Sequence, residues 1–354
     1  MAEANAITLP TPSPATGDFA ELKHLVKQAR LLEKQPRYYI IKIVVIFACF
    51  ALSIAFLLFV KPFWLQLFNA AFLGLVTTQF GLLGHAAGHR QIFRRTWKND
   101  IVGLITGNLM VGMSIDWWIG RHNQHHNHPN QHDVDPDVFI PIVAFAPEDL
   151  IGKGPFLLNL MKYQVYFFFP MLTLASISMQ VTSVQHLLQE KVKYAVTERL
   201  FMLLHFVLYL GFLFFHFPLW QAILFIFVHQ IFSGVYMGSI FAPNHKGMPV
   251  LDKESDIDFL HRQVITARNV YAHPLTDFLY GGLNYQIEHH LFPAMAQNKL
   301  KEAQVIVKLF CQKYAIPYYE TNLVQSYGEI LLALHAVTAP LREEKQLVKR
   351  NSAN

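Results

Sequence analysis

The chain has 354 residues, of which 53% are hydrophobic and only 15% are charged, and its formal net charge is +5. Charged residues make up about a quarter of an average soluble domain, so this composition favours a protein of the lipid bilayer. The cations flank apolar segments, which argues against a nucleic-acid partner, and two cysteines, Cys49 and Cys311, provide neither a disulfide framework nor a cysteine-ligated metal site.

Residues 1–38 predict an N-terminal cytoplasmic segment that is partly disordered. Residues 1–18 are small, polar and rich in proline, which indicates disorder and no cleavable signal peptide. In residues 19–37, five cations are interspersed with apolar residues. This pattern predicts an amphipathic helix on the membrane surface, and a plain solvated helix is the alternative.

Four later runs of apolar residues are long enough to cross a hydrocarbon core of about 30 Å. They occupy residues 43–60, 63–83, 200–217 and 219–242, and a short turn joins the first run to the second and the third run to the fourth. Cations lie before the first run and after the second, so we expect both ends of this first hairpin in the cytoplasm. Residues 101–115 are apolar but short, and they predict a helix at the interface.

A fifth apolar stretch, residues 163–179, contains Pro170 and leaves the number of crossings open. If histidines before and after it share one metal site, an even number of crossings must separate them. We therefore predict that this stretch lies in the interface and that four helices cross. Residues 39–315 then form one multi-pass membrane domain, polar from residue 243 onward, and residues 316–354 form a C-terminal tail. Both termini and the active site are expected in the cytoplasm.

Histidine is unusually frequent, with 18 residues, and eight of these lie beside the predicted spans or in the polar region after them. They are His85 and His89, His122, His125 and His126, His245, and His289 and His290, the last two preceded by Gln286. Spacings of three and four residues place imidazoles on one helical face, where they can bind metal together. For His205, His216 and His229, in or near the spans, we expect hydrogen bonds between helices.

The number of histidines bears on the kind of metal site. Imidazole binds iron, copper, nickel and zinc, so the ligand type alone does not identify the metal. Eight histidines exceed the three protein ligands that a catalytic zinc ion usually has. The sequence therefore predicts two metal ions that share about four histidines each. The expected fold is an all-α integral membrane protein, with about four transmembrane helices and a cytoplasmic helical cap that holds this site.

At these residues the sequence resembles the membrane fatty acid desaturase family, over roughly residues 40–315. The motifs His-x3-His, His-x2-His-His and Gln-x2-His-His follow in the family's order, and the segment GGLNYQIEHHLFP from Gly281 to Pro293 is especially similar to the front-end branch. The resemblance implies a non-haem di-iron centre, with two iron ions and O2 as co-substrate. The ligands that it implies are His85, His89, His122, His125, His126, His245, His289 and His290, with Gln286 nearby or ligating.

Two departures from the family pattern bear on the site. Ala86 stands where this branch commonly carries Asp, so an outer carboxylate that orients a ligand is either missing or supplied elsewhere, with Asp133 and Asp135 as candidates. The branch often carries a fused haem domain with the motif His-Pro-Gly-Gly, which this sequence lacks. We therefore expect a separate electron donor, a ferredoxin or a small b-type cytochrome with its reductase.

The resemblance implies an O2-dependent oxidoreductase that introduces a cis double bond into a lipid-linked or thioester-linked acyl chain, with front-end regiochemistry. Hydrogen removal from an unactivated methylene is beyond acid–base side chains, which agrees with this chemistry. Asp116–Trp118 and Asn284–Tyr285 are candidate tunnel residues, although anchoring at the membrane interface explains the tryptophans equally well. A di-iron acyl or lipid hydroxylase is the first alternative, and a zinc-dependent membrane lipid hydrolase is a less favoured one.

Overall fold

The computed structural model of the protein describes residues 19–343. Residues 1–18, with their predicted disorder, and residues 344–354 of the predicted tail lie outside the described residues. Within the described range the chain is mostly helical, as the sequence predicts, and its one sheet is a pair of two-residue strands. β1 (Asn269–Val270) and β2 (Glu320–Thr321) run parallel, with Asn269 opposite Glu320.

Fifteen α-helices lie within residues 19–343. In chain order they are α1 (Phe19–Gln28), α2 (Pro36–Phe59), α3 (Phe63–Gly88), α4 (Thr96–Gly103), α5 (Ile115–Asn127), α6 (Pro155–Met161), α7 (Gln164–Met171), α8 (Ala175–Gln189), α9 (Ala195–His216), α10 (Leu219–His245), α11 (Phe259–Ile265), α12 (Pro274–Leu279), α13 (Gln286–Leu291), α14 (Leu300–Lys313) and α15 (Leu323–Val337). A π-helical segment, Leu104–Val111, continues α4.

The four predicted spans correspond to α2, α3, α9 and α10, and each of these helices is long and apolar enough to cross a membrane. The region Gln164–Gln189, which contains α7 and α8, also meets this criterion. Length and composition therefore identify five candidate spans in the described part of the chain, where the sequence predicts four. Pro170 lies inside α7, and a 3-10 turn, Leu172–Leu174, separates α7 from α8.

In the membrane region, α3 and α10 pack closely because a glycine lets their backbones approach. A Cβ atom on Gly74 of α3 would lie 2.9 Å from the backbone nitrogen of Ser233 in α10. The ring nitrogens of His229 contact the hydroxyls of Thr77 and Tyr209 at 3.0 and 2.6 Å. His229 thereby links α3, α9 and α10, which confirms its predicted role between helices. The packing also brings the C-terminal ends of α3 and α10 to one place.

The segment predicted as a helix at the interface, residues 101–115, belongs to a sharply bent pair of helices. α4 with its π-helical continuation forms one arm, and α5 forms the other at an angle of 108°. At the bend, Gly112 has a φ of +73°, and a Cβ atom there would meet the ring of His205. His205 donates from Nδ1 to the carbonyl of Leu109 at 2.9 Å, so this histidine, too, bonds between segments as predicted.

Helices α1 and α11–α14, with strand β1, form a cap that reaches the C-terminal ends of α3 and α10 through α13 and β1. Leu22 and Val26 of α1 are fully buried in a core that includes Val307 and Phe310 of α14. The apolar face of α1 is therefore covered by the protein itself. This differs from both sequence-based expectations, because neither a membrane surface nor solvent meets that face.

The described part of the predicted tail is tied to the cap and to α10. β2 pairs with β1, and α15 packs against α7 and α10. The buried Arg268 donates to Glu329 of α15 and to the carbonyls of Pro243 and Lys246 at the end of α10. A buried guanidinium with these partners holds α15 against the helix end that carries His245.

Candidate metal centre

The first histidine motif lies at the C-terminal end of α3. His85 is in the last turn and His89 caps the helix, with ring centroids 4.7 Å apart. Gly88, between them, lies against α5, because a Cβ atom there would be 2.5 Å from Cζ3 of Trp118. The close approach of these two helices brings the first motif against the second.

The second motif lies on α5, and polar groups fix the start of this helix. Ser114 caps α5 and donates to the buried carboxylate of Glu198 in α9 at 2.6 Å. Trp118, one turn later, stacks on His122 with ring centroids 4.3 Å apart. The three motif histidines, His122, His125 and His126, are all buried, as expected for positions on one helical face.

The third motif reaches the site from the cap, on the short helix α13. Gln286 is its first residue, and His289 and His290 lie in its last turn. His245 is the last residue of α10 and arrives from the membrane side. All four side chains are buried, so both the spans and the cap contribute to one site.

Four histidines from the three motifs form a first group, consisting of His85, His89, His122 and His289. One ligand nitrogen from each lies within 4.8 Å of all the others, and Nε2 of His85 is 3.1 Å from Nε2 of His122. Nε2 of His89 and Nε2 of His289 are buried without a hydrogen-bond partner among residues 19–343. Metal–imidazole bonds of about 2.0–2.1 Å place neighbouring ligand nitrogens about 3 Å apart. The group therefore fits a metal ion.

A second group consists of His125, His245 and His290, whose ligand nitrogens also lie within 4.8 Å of one another. Nε2 of His245 is 3.3 Å from Nε2 of His125 and 3.1 Å from Nε2 of His290. Gln286 places its amide nitrogen 2.9 Å from the same His245 atom, and its amide oxygen accepts from Asn244 at 2.9 Å. Gln286 is therefore beside this group, as the sequence predicts.

His126 lies between the two groups. Its Nε2 atom is 3.0 Å from Nε2 of His122 in the first group, and its ring stacks on His290 of the second with centroids 4.1 Å apart. The structure thus brings all eight histidines named in the sequence analysis into one buried cluster that contains both groups.

Asp135 supplies an outer carboxylate to the second group. His125 donates to it from Nδ1 at 2.8 Å, and so does the backbone N–H of Asn130 at 2.8 Å. Burial would raise the pKa of Asp135, but the charge and hydrogen bond of His125 lower it to about 2. Of the two candidates from the sequence, Asp135 has this role, and Asp133 lies instead 3.6 Å from His132.

Two further histidines have their second ring nitrogen held by neutral acceptors. Nδ1 of His245 donates to the carbonyl of Thr266 at 3.0 Å, and Nδ1 of His290 donates to Oε1 of Gln263 at 2.8 Å. Gln263 also donates to the carbonyl of His126 at 2.8 Å. Such bonds fix the tautomer and direct Nε2 toward a metal.

The imidazoles of the third motif are neutral. Burial, followed by the repulsion of neighbouring histidines, holds the pKa values of His289 and His290 well below the usual range. A neutral imidazole has the free lone pair that metal binding requires.

Between this motif and the cap, Glu288 is fully buried and accepts from Asn269 at 2.7 Å and from Tyr318 at 2.8 Å. These bonds attach α13 to the strand region.

Sequence reasoning missed several supporting residues, namely Asn130, Glu198, Gln263, Thr266 and Asn269. Except for Asn130, these residues lie far along the chain from the groups that they contact, so no spacing pattern indicates them. Asp135 could be predicted as a candidate, because it lies in the acidic run that follows the second motif. Of the candidate tunnel residues, Asn284 and Tyr285 are buried, and both donate to Asp277, at 2.8 and 3.1 Å.

Comparisons with known proteins identify the family to which the chain belongs. The model of a family described as fatty acid desaturase matches residues 62–322. An acyl-lipid (9-3)-desaturase of Physcomitrium patens is 30% identical over 95% of this chain and 65% of its own length. A Delta(6)-fatty-acid desaturase of Caenorhabditis elegans is 31% identical over 88% of this chain and 72% of its own. A Delta(8)-fatty-acid desaturase of Euglena gracilis is 29% identical over 94% of this chain and 81% of its own length. The chain thus spans less than two thirds of the first of these relatives.

Proposed function

Since the chain belongs to the fatty acid desaturase family, we propose that it is an O2-dependent fatty acyl desaturase with a non-haem di-iron centre. The convergence of eight buried histidines carries this proposal: seven form two groups that could each hold a metal ion, and His126 lies between the groups. In the proposed reaction, two vicinal C–H bonds break and a cis double bond forms. O2, two electrons from a donor, two protons and the two hydrogens of the acyl chain account for two molecules of water.

We propose that the first iron ion would be held by His85, His89, His122 and His289. The second would be held by His125, His245 and His290, and His126, stacked on His290, would make the number of ligands four. Gln286 would lie beside this second position, next to His245. Iron bound there would supply the oxidising power that acid–base side chains lack. The chain orients His125, His245 and His290 through Asp135, Thr266 and Gln263, respectively. It excludes bulk water by burying every ligand.

We also propose four spans, α2, α3, α9 and α10, with the metal centre and both termini in the cytoplasm. Two contacts support an interfacial position for α7 and α8. Gln164, at the start of α7, donates to the carbonyl of Leu334 in α15 at 3.0 Å. His186, in the last turn of α8, contacts Asp116 at the start of α5 at 3.1 Å. The start of α7 and the end of α8 thus both lie on the side of the metal centre. Cations also accumulate on this side, which agrees with a cytoplasmic location.

The proposed substrate is an acyl chain linked to a lipid or to a thioester. The relatives named Delta(6), Delta(8) and (9-3) support front-end regiochemistry, in which the new double bond forms between an existing one and the carboxyl end. Expression in a host of defined lipid composition, followed by location of the new double bonds, tests this. A product that gains an oxygen atom instead of losing two hydrogens would contradict desaturation and identify a hydroxylase.

We propose a separate electron donor, either a ferredoxin or a small b-type cytochrome with its reductase. Purified chain in lipid, supplied with acyl substrate and O2, should form product only when one of these donors is added. A sample that receives a chemical reductant instead of either donor is the positive control. Product formed with neither donor and no reductant would contradict the proposed donor class.

The ligand assignment is tested by His125→Ala and His289→Ala, one from each group. Each should abolish product and lower the iron content of the purified protein below about two per chain. His24→Ala is the matched control, because His24 is exposed on α1 and, among residues 19–343, bonds only to Gln28. About one zinc and no iron in the unaltered protein, or full activity of either ligand variant, would refute the di-iron proposal.

A further inference from the structure

The short helix α12 carries an exposed apolar face in the cap. Leu275 and Phe278 are 59% and 50% exposed, and positions three apart on a helix lie on one face. A helix that meets water normally carries polar side chains on its outer face. The described part of the chain therefore leaves an apolar face of the cap uncovered.

The contacts of α12 with α3 and α10 give its height along these spans. Gln79 of α3 donates from Nε2 to the carbonyls of Phe278 and Leu279 at 3.3 and 3.4 Å. The hydroxyl of Tyr236 in α10 donates to the same Leu279 carbonyl at 2.7 Å. With a rise of about 1.5 Å per residue, Gln79 lies about 24 Å from the start of α3, and Tyr236 lies about 26 Å from the start of α10. Both distances are shorter than the hydrocarbon thickness of about 30 Å. Hydrocarbon that begins where these two helices begin therefore still surrounds the end of α12.

The same contacts satisfy the C-terminal carbonyls of α12. The last carbonyls of a helix have no partner within the helix, and hydrocarbon offers no donor in place of water. Gln79 and Tyr236 supply these donors from inside the two spans. Polar side chains are costly in an apolar span and usually have a specific partner there. The backbone of α12 is such a partner for both residues.

An exposed apolar surface of the spans continues from α12 away from the metal centre. Leu75 lies one turn before Gln79 on α3, and Phe232 lies one turn before Tyr236 on α10, and both are exposed. Residues four apart share a helical face, so α12 lies beside the exposed part of both helices. Its apolar face is therefore continuous with a surface that meets lipid in a membrane-spanning pair of helices.

We propose that α12 lies within the hydrocarbon of the leaflet on the side of the metal centre, with its apolar face against bilayer lipid and its end held by Gln79 and Tyr236. The lipid here is the solvent of the helix and not the substrate. Asp277 of α12 accepts from Asn284 and Tyr285, the two residues before α13. The bilayer thereby fixes the height of the third histidine motif. The inference rests on the proposed function only in taking α3 and α10 as spans.

Spin-label accessibility in phosphatidylcholine nanodiscs tests the position of α12 in the full-length, iron-loaded protein. Cys49→Ala and Cys311→Ala remove both native thiols, and a nitroxide is attached to Leu275→Cys or Phe278→Cys. Dissolved O2 concentrates in hydrocarbon, whereas a nickel chelate stays in water. We expect O2 to relax both labels more strongly than the chelate does. Stronger relaxation of both labels by the chelate would overturn the proposal.

Two exposed apolar residues serve as matched controls for water and for lipid. Leu309 on α14 of the cap is 61% exposed, and Phe68 on α3 is 69% exposed. The label on Leu309→Cys should respond more to the chelate, and the label on Phe68→Cys should respond more to O2. Labels on α12 that behave like the one on Leu309→Cys would place the helix in water and contradict the proposal.

Two glutamines of apolar helices offer a matched pair of variants. Gln79→Leu removes the donor to α12, whereas Gln180→Leu removes a donor in α8 that bonds to the carbonyl of Val111 at 2.8 Å. Gln79→Leu should shift the label on Leu275→Cys toward the chelate, because α12 then has unpaired carbonyls in hydrocarbon. Gln180→Leu should leave the label unchanged. If Gln79→Leu fails to fold, Tyr236→Phe removes the second donor instead. An equal response of the label in the altered and control proteins would show that these donors do not hold α12, and would overturn the proposal.

Product analysis on the same samples separates this inference from the proposed function. Labels on α12 that lie in lipid, in a protein that forms no new double bond, would support the position of α12 while the desaturase proposal fails. Product formation with these labels in water would do the reverse. A label on Phe68→Cys that responds more to the chelate would show that α3 is not a span, and the inference would fail together with the proposed topology.

Discussion

At the scale of single residues, Asp135 is the outer group with the clearest effect on the centre. Its carboxylate accepts from both His125 and Asn130, and although burial would raise its pKa, the charge and hydrogen bond of His125 lower it and so favour the charged carboxylate. Asp135→Asn would remove that charge and weaken the orientation of His125. Outer partners of this kind typically contribute about 10- to 100-fold in metal affinity. Iron retained against a graded chelator should therefore fall from about two per chain toward one.

The matched control for that substitution is Asp133→Asn. Asp133 lies two residues earlier on the exposed side of the same loop and does not contact the eight histidines. The Asp133→Asn variant should retain as much iron as the unaltered protein. Equal retention by both variants would show that the hydrogen bond of Asp135 does not affect metal binding.

The ligand histidines could be predicted because helical spacing is a local property. His122, His125 and His126 share a face whatever the rest of the chain does. The sequence predicts two metal positions, but it could not predict which histidines belong to each, because that depends on how α3, α5, α10 and α13 meet. The same holds for Thr266, which acts through its backbone carbonyl, a group that every residue has.

At the scale of elements, the contact between α3 and α5 depends on Gly88. Gly88→Ala would place a Cβ atom 2.5 Å from the ring of Trp118, and Trp118 stacks on His122. We expect the displaced indole to move His122 and to lower iron in the first group. Iron content and thermal unfolding of the purified protein measure the effect.

Gly120 on α5 is the control for Gly88, because a Cβ atom there meets nothing within 4 Å. Gly120→Ala should leave iron content unchanged and stabilise α5 by up to about 1 kcal/mol, the difference in helix propensity. If both variants keep full iron, the packing of Trp118 does not position the ligand.

The contact between α3 and α10 depends on Gly74 in the same way. Gly74→Val would press on the backbone of α10 near Ser233, and overpacking of this kind costs about 1–3 kcal/mol. Gly211→Val on α9 is the control, since that position is open. Unfolding in detergent should show a loss for the first variant only. A comparable loss for both would point to helix propensity instead of packing.

Among the elements, the long apolar helices were the easiest to predict, because their composition alone requires a hydrocarbon environment. The position of α1 was not predicted, since an amphipathic pattern is the same whether lipid, water or α14 covers the apolar face. The 108° bend before α5 was also missed. It depends on Gly112 and on contacts with α9, which no local pattern contains.

At the scale of the whole molecule, the histidine cluster and the topology constrain each other. The first motif ends α3, and His245 ends α10, and both lie in one cluster. An even number of crossings must therefore separate them. With α9 and α10 counted as two, α7 and α8 together cannot add a single crossing. The proposed four spans follow from this parity, together with the contacts of Gln164 and His186.

Single-cysteine labelling in sealed vesicles tests this topology. Cys49→Ala and Cys311→Ala remove both native thiols, and one cysteine is then placed at a time at the exposed positions Lys61, Glu148, Glu190 or Lys253. An impermeant maleimide should reach Glu148→Cys, Glu190→Cys and Lys253→Cys from the same side. Lys61→Cys, between α2 and α3, should react only from the other side. If α7 and α8 crossed once, Glu190→Cys would react with Lys61→Cys instead, and the four-span proposal would be wrong.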